Sequence, residues 1–148
     1  MRKVGLFLVI LAFLGTGAYL LEGQKSQNMQ TLHAQLGGEA FVFEVAGTNA
    51  LRARGLSGRE RLEPGKGMFF VFLKDDRHGF WMKDMRFSID IIWLDSEYHI
   101  VDVKKDATPA SYPEIFWPSR PARYVVEVPA GFFDEHHLKA GDVVEILK

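Results

Sequence analysis

Residues Gly67 to Asp95 read GMFFVFLKDDRHGFWMKDMRFSIDIIWLD. Short apolar, aromatic-rich runs alternate there with charged turns, and the runs have the length of strands rather than helices. Met68 to Leu73 is apolar at successive positions, which predicts a central strand buried on both faces. Lys74-Asp75-Asp76-Arg77 predicts a turn, and Phe80 to Lys83 a second strand. Ser88 to Leu94 predicts a third. Strand alternation puts Ile89, Ile91 and Trp93 on one face and Asp90, Ile92 and Leu94 on the other.

The pattern continues on both sides. Upstream, Phe41 to Val45 alternates as a strand. Thr48 is placed to cap a short helix that runs to about Gly55, and Pro64-Gly65-Lys66-Gly67 is a turn. Downstream, Asp95-Ser96-Glu97 turns the chain into a strand over Tyr98 to Val103. Thr108 to Pro121 holds four prolines and cannot be a regular interior strand, so it predicts a long loop carrying Tyr112, Phe116 and Trp117. Tyr124 to Val128 returns to strand alternation, Phe132 to Ala140 predicts a short helix ended by Gly141, and Val143 to Leu147 a last strand. Many short strands and few helices imply a mainly β sandwich or partly open barrel with one or two short helices.

The amino terminus has a different grammar. Arg2 and Lys3 precede Val4 to Leu21, which carries no charge. As a helix this run spans roughly 27 Å, at about 1.5 Å per residue, just enough to cross a bilayer. Thr16-Gly17-Ala18 also offers a small-residue cleavage site. Residues 1–21 are therefore expected to form a hydrophobic helix acting either as a signal peptide or as a membrane anchor. Residues 22–30 are expected to be a polar linker and residues 31–148 a β domain. The positive end stays inside, so the domain is expected to be exported, periplasmic or extracytoplasmic, and held at the membrane if the segment is uncleaved.

Composition removes several classes. The chain of 148 residues has no cysteine, which excludes disulfides, thiol catalysis and thiolate metal sites. A net charge of −1 offers no electrostatic footprint for nucleic acid. The five histidines form no metal-ligating spacing, and no Gly-rich phosphate loop is present, so no metal and no cofactor is expected.

Arg54-Gly55-Leu56, Arg59, Gly67-Met68, Phe80-Trp81-Met82-Lys83 and Ile89-Asp90 together resemble the DUF192 (UPF0127) family of small bacterial and archaeal proteins. Pro129-Ala130-Gly131 and Gly141-Asp142 extend the resemblance, which covers roughly Phe41 to Leu147. It implies a compact, mainly β domain of jelly-roll-like sandwich type, and it implies no activity. Ser57-Gly58 departs from the family, which often has a large apolar residue after Gly-Leu.

Asp90 is the sharpest single residue. Its strand face is otherwise apolar, and a buried carboxylate needs a partner: Lys83, Arg54, Arg59 or backbone amides. Trp81 beside Lys83 and Asp84 suits the rim of a pocket, with Arg54 and Arg59 supplying cations. The candidate ligand-binding residues are therefore Arg54, Arg59, Trp81, Lys83, Asp84 and Asp90. Two function classes follow. The first is a non-catalytic envelope module binding a small molecule, glycan or protein partner. The second is a small hydrolase using Asp90 or Asp84 with His78, which requires two titratable groups converging in one cleft.

Overall fold

The computed structural model describes residues 29–147. The hydrophobic helix expected over residues 1–21, and most of the linker, lie outside the described residues. Among the described residues no helix is long and apolar enough to cross a membrane.

The strands are β1 (Thr31–Leu36), β2 (Glu39–Ala46), β3 (Lys66–Asp76), β4 (Ile89–Leu94), β5 (Ile100–Ala107), β6 (Ala122–Pro129) and β7 (Glu145–Ile146). They form one seven-stranded sheet in the order β5-β4-β6-β3-β2-β1-β7, curled as an open half-barrel. The expectation of a mainly β fold holds, and of its two alternatives the single curled sheet matches the partly open barrel rather than the two-layered sandwich. β2 and β3 are parallel, and every other neighbouring pair is antiparallel.

That parallel pair matters for the site. Parallel neighbours cannot be joined by a tight hairpin and need a crossover. Here the crossover carries the helix α1 (Asn49–Arg54), whose Leu51 packs on one face of the sheet. That face holds Met68, Phe70, Ile89, Ile91, Trp93 and Val125. The opposite face holds Phe41, Phe43, Phe69, Ile92, Leu94, Val126 and Val128, and is covered by Phe132 and Phe133 of α2 (Phe132–Glu135). Both faces of β4 are buried along its whole length, with the alternation expected from its sequence.

Three local expectations are corrected. Lys74 to Asp76 is not a turn but the end of β3, which regains its pairing with β6 at Asp76 and Ala122 after an irregularity beyond Val71. Phe80 to Lys83 is not a strand. Among the described residues its one ladder contact is with the proline-rich loop, where Phe80 and Phe116 exchange backbone hydrogen bonds of 2.9 and 2.8 Å. Alternation still operates locally, since Phe80 and Met82 turn inward while Trp81 and Lys83 turn out. The helix expected over Phe132 to Ala140 is a single turn ending at His136. Thr31 to Leu36, which alternates with Leu32, Ala34 and Leu36 turned inward, is a further strand, β1, and sits between β2 and β7.

Candidate functional site

α1 is short, has no buried residue of its own and is held in place by specific contacts. Thr48 caps it, its hydroxyl accepting from the Leu51 amide at 3.2 Å. Gly55 ends it at a positive φ of 51°, a conformation glycine adopts without penalty. Arg52 donates to the Gly47 carbonyl at 2.9 Å and the Val71 carbonyl at 2.7 Å, and its guanidinium lies over the Phe72 ring. Beyond the helix, the Ser57 hydroxyl donates to the Lys83 carbonyl and the Gly58 amide to the Asp84 carbonyl, both at 2.8 Å. One end of the α1 segment is thus fixed to β3 and the other to the Phe80–Met85 segment.

Between these attachments lies a concavity of about 330 Å³. Phe70, Phe72, Phe80 and Trp81 supply aromatic wall, with Leu56 and Met85 beside them. Phe80 meets Phe70 edge-on at 4.9 Å, so the wall is braced by aromatic packing. Arg52 and Arg54 line the α1 side. Glu127, from the middle of β6, lines the inner end and is only 5% exposed.

Glu127 is the unusual group here. Its Oε2 is sealed from solvent and has no hydrogen-bond partner among the described residues. Burial pushes its carboxyl up to about 8, against a weaker opposing pull from Arg59. The pairing register explains why Arg59 does not neutralise it. Glu44, Met68, Glu127 and Ile91 follow one another across β2, β3, β6 and β4. Arg59 is committed to Glu44 by two bonds of 2.7 and 2.6 Å, and the hydrogen bond to Arg59 holds the Glu44 carboxyl below the usual range. Glu127 is left as a neutral acid with hydrogen-bonding capacity unused.

The residues singled out from sequence divide. Trp81 and Arg54 line the concavity. Trp81 is 46% exposed, with Lys83 Nζ 5.7 Å from its ring centre. Lys83 does not line the concavity, and Asp84 is exposed on the turn beyond, in a left-handed conformation with φ of 55°. Arg59 is consumed by Glu44 and does not offer a free cation.

Asp90 lies on the other face of the sheet. It is fully buried, and none of Lys83, Arg54 or Arg59 is its partner. Its carboxylate accepts from the backbone amides of Asp106 at 2.9 Å, Gly131 at 3.3 Å and Phe133 at 2.9 Å. It therefore ties the end of β5 and the start of α2 to the centre of the sheet. His78 does not meet it. The His78 ring stacks on Phe72 at 3.6 Å, and its carbonyl accepts from the indole of Trp93, which points to the face opposite Asp90. Nor do His78 and Asp84 share a hydrogen bond among the described residues. The Asp–His pair required by the hydrolase reading is not assembled.

In the proline-rich loop, Phe116 is buried and fixes the loop to the sheet, while Tyr112 and Trp117 stay largely exposed. Tyr112 reaches the Trp81 ring edge-on at 5.7 Å, so the loop borders the mouth of the concavity.

The DUF192 family, described only as an uncharacterized ACR, matches residues 32–146, and the chain belongs to it. The UPF0127 protein of Pyrococcus abyssi is 36% identical over 107 residues, covering 69% of this chain and 83% of that one. The UPF0127 protein of Pyrococcus horikoshii is 31% identical over 106 residues, covering 68% and 84%. Among solved structures, a candidate transcription regulator from Sinorhizobium meliloti 1021 superposes with a TM-score of 0.72 at 25% identity, over 78% of this chain and 92% of that one. A protein of unknown function from Novosphingobium aromaticivorans is similar, with a TM-score of 0.69 at 28% identity over 79% and 84%.

Proposed function

We propose that this chain is an exported, membrane-proximal binding module that holds a small organic molecule in the concavity beneath α1. The observation that carries the reading is Glu127: a buried neutral acid whose carboxyl makes no hydrogen bond to the described residues, lining an aromatic-walled recess. An unpartnered polar group costs folding energy of about 1–3 kcal/mol, and a ligand supplying the missing partner recovers it. Aromatic walls with few polar groups are the usual make-up of a small-molecule site. Export rests on Arg2, Lys3 and the uncharged run that follows.

Two measurements test the reading. A reporter enzyme active only outside the cytoplasm, fused after Lys148, should be active; a reporter working only when cytoplasmic argues against export. Thermal-shift screening of the full chain in mild detergent should find a small molecule that raises Tm. A ligand at about 100 times its Kd adds about 2.7 kcal/mol of stability. The gain should vanish in Glu127→Leu. A Tm gain unchanged by Glu127→Leu places the ligand elsewhere and removes the recess as the site.

A further inference from the structure

The charge distribution around the recess narrows the chemistry of its occupant. Three ionisable side chains line it: Arg52, Arg54 and Glu127. Arg52 is bound by two carbonyls and the Asn49 side-chain amide, none of which is anionic, so its positive charge is oriented but not cancelled. Arg54 makes no side-chain hydrogen bond or ion pair among the described residues and is exposed at the mouth. Just beyond the lining, Glu44 and Arg59 cancel each other. The recess therefore presents uncancelled positive charge at its outer side and an uncharged acid at its inner end. An ammonium compound would meet two guanidinium groups and would have to ionise a buried carboxyl to gain a counter-charge. An anion held at the mouth meets a guanidinium suited to carboxylate.

The inner end asks for something different. A protonated carboxyl has an O–H to donate; Oε2 is sealed, so Oε1 is the oxygen that can carry that proton toward the recess, and no acceptor among the described residues takes it. Between the two ends stand the rings of Phe70, Phe72, Phe80 and Trp81, which favour a flat apolar body. At about 330 Å³ the space is at the low end of known ligand sites. A single ring with substituents at opposite ends matches it better than a lipid or an oligosaccharide.

Building on the small-molecule reading above, we propose that the ligand is a small aromatic carboxylate with a hydrogen-bond acceptor opposite its carboxylate. The acceptor is held by the Glu127 hydroxyl, the ring by the phenylalanine wall, and the carboxylate by Arg54 at the mouth. Binding then selects both ends of the molecule.

Four probes separate the possibilities: 4-acetylbenzoate, benzoate without the acceptor, acetophenone without the carboxylate, and 4-acetylbenzylammonium with reversed charge. Each is titrated into the full chain at pH 6, following the backbone amides of Gly55, Ser57, Gly79 and Trp81 by NMR. 4-Acetylbenzoate should bind most tightly. Loss of either end group should weaken binding by about tenfold or more, and the ammonium compound should bind worst. Raising the pH to 9 ionises Glu127 and should weaken 4-acetylbenzoate by a similar factor. Glu127→Gln keeps a donor that does not titrate, so its affinity should be the same at both pH values. Arg54→Ala should abolish the preference for 4-acetylbenzoate over acetophenone. Equal affinity of benzoate and 4-acetylbenzoate, or tighter binding of acetophenone or the ammonium compound at the same amides, overturns the ligand class but leaves the recess as a small-molecule site. If none of the four moves these amides in the folded protein, the proposed ligand class is rejected and the binding reading then rests on the thermal-shift screen alone.

Discussion

At the residue scale the two buried acids have opposite solutions. Asp90 is satisfied three times over by backbone amides, and Glu127 has an oxygen with no partner. Asp90→Ala would leave three amide donors without an acceptor at the junction of β4, β5 and α2. We expect it to cost about 3–5 kcal/mol. Asp90→Asn keeps one oxygen for the Asp106 and Gly131 amides but turns an NH₂ toward the Phe133 amide, and should cost about 2 kcal/mol. Urea unfolding of both variants checks this; a loss below about 1 kcal/mol for the alanine would show that these bonds do not hold the junction. Asp90 was legible because a carboxylate at the centre of an apolar strand demands partners, although their identity was not. Glu127 carried the same signal in Tyr124-Val125-Val126-Glu127-Val128. What hid it was its strand's position. Only the order β4-β6-β3 shows that β6 is interior and that its Glu127 face is covered.

At the element scale, strand type was easier to read than strand partners. The α1 boundaries followed from Thr48 and Gly55, since caps are local chemistry. The FWMK segment has strand-like alternation and yet pairs only with the proline-rich loop, through Phe80 and Phe116, a partner that its own residues do not specify. Gly67 shows a constraint of the same non-local kind. A Cβ there would lie 2.5 Å from the Glu127 carbonyl oxygen and 2.6 Å from the Phe43 ring. The first contact is with backbone of the paired strand and cannot rotate away. Gly67→Ala should therefore push β3 and β6 apart beside the recess and cost about 3 kcal/mol. Gly47→Ala, where nothing lies within 4 Å, should change stability by less than about 0.5 kcal/mol. Equal urea midpoints for the two variants would mean that the β3–β6 spacing is not under this restraint.

At the scale of the whole molecule, the two faces of β4 could be read from alternation, but alternation left sandwich and partly open barrel both open, because strand order depends on pairings distant in sequence. That same order makes global stability depend on pH in a defined way. The carboxyl of Glu127 has an ordinary value of 4.5 and is raised to about 8 by burial, so folding takes up a proton between those limits. Its contribution to stability is therefore present in full below about pH 4.5, falls as pH rises through the window, and is gone above about pH 8; the full span is worth about 5 kcal/mol. Glu44, lowered by its hydrogen bond to Arg59, and Asp142, lowered by its hydrogen bond to Lys139, act in the opposite sense and below that window. They stabilise the fold above the ordinary carboxylate range and lose that effect as the pH falls through it. Between pH 5 and 8 the slope should therefore be dominated by Glu127, with stability declining toward pH 8. Glu127→Gln should flatten the profile over that interval, and should be more stable than the parent at pH 8 because it carries no ionising group into the interior. Urea unfolding at half-unit steps of pH measures both curves, and parallel curves for parent and variant would show that Glu127 is not the group that takes up the proton on folding.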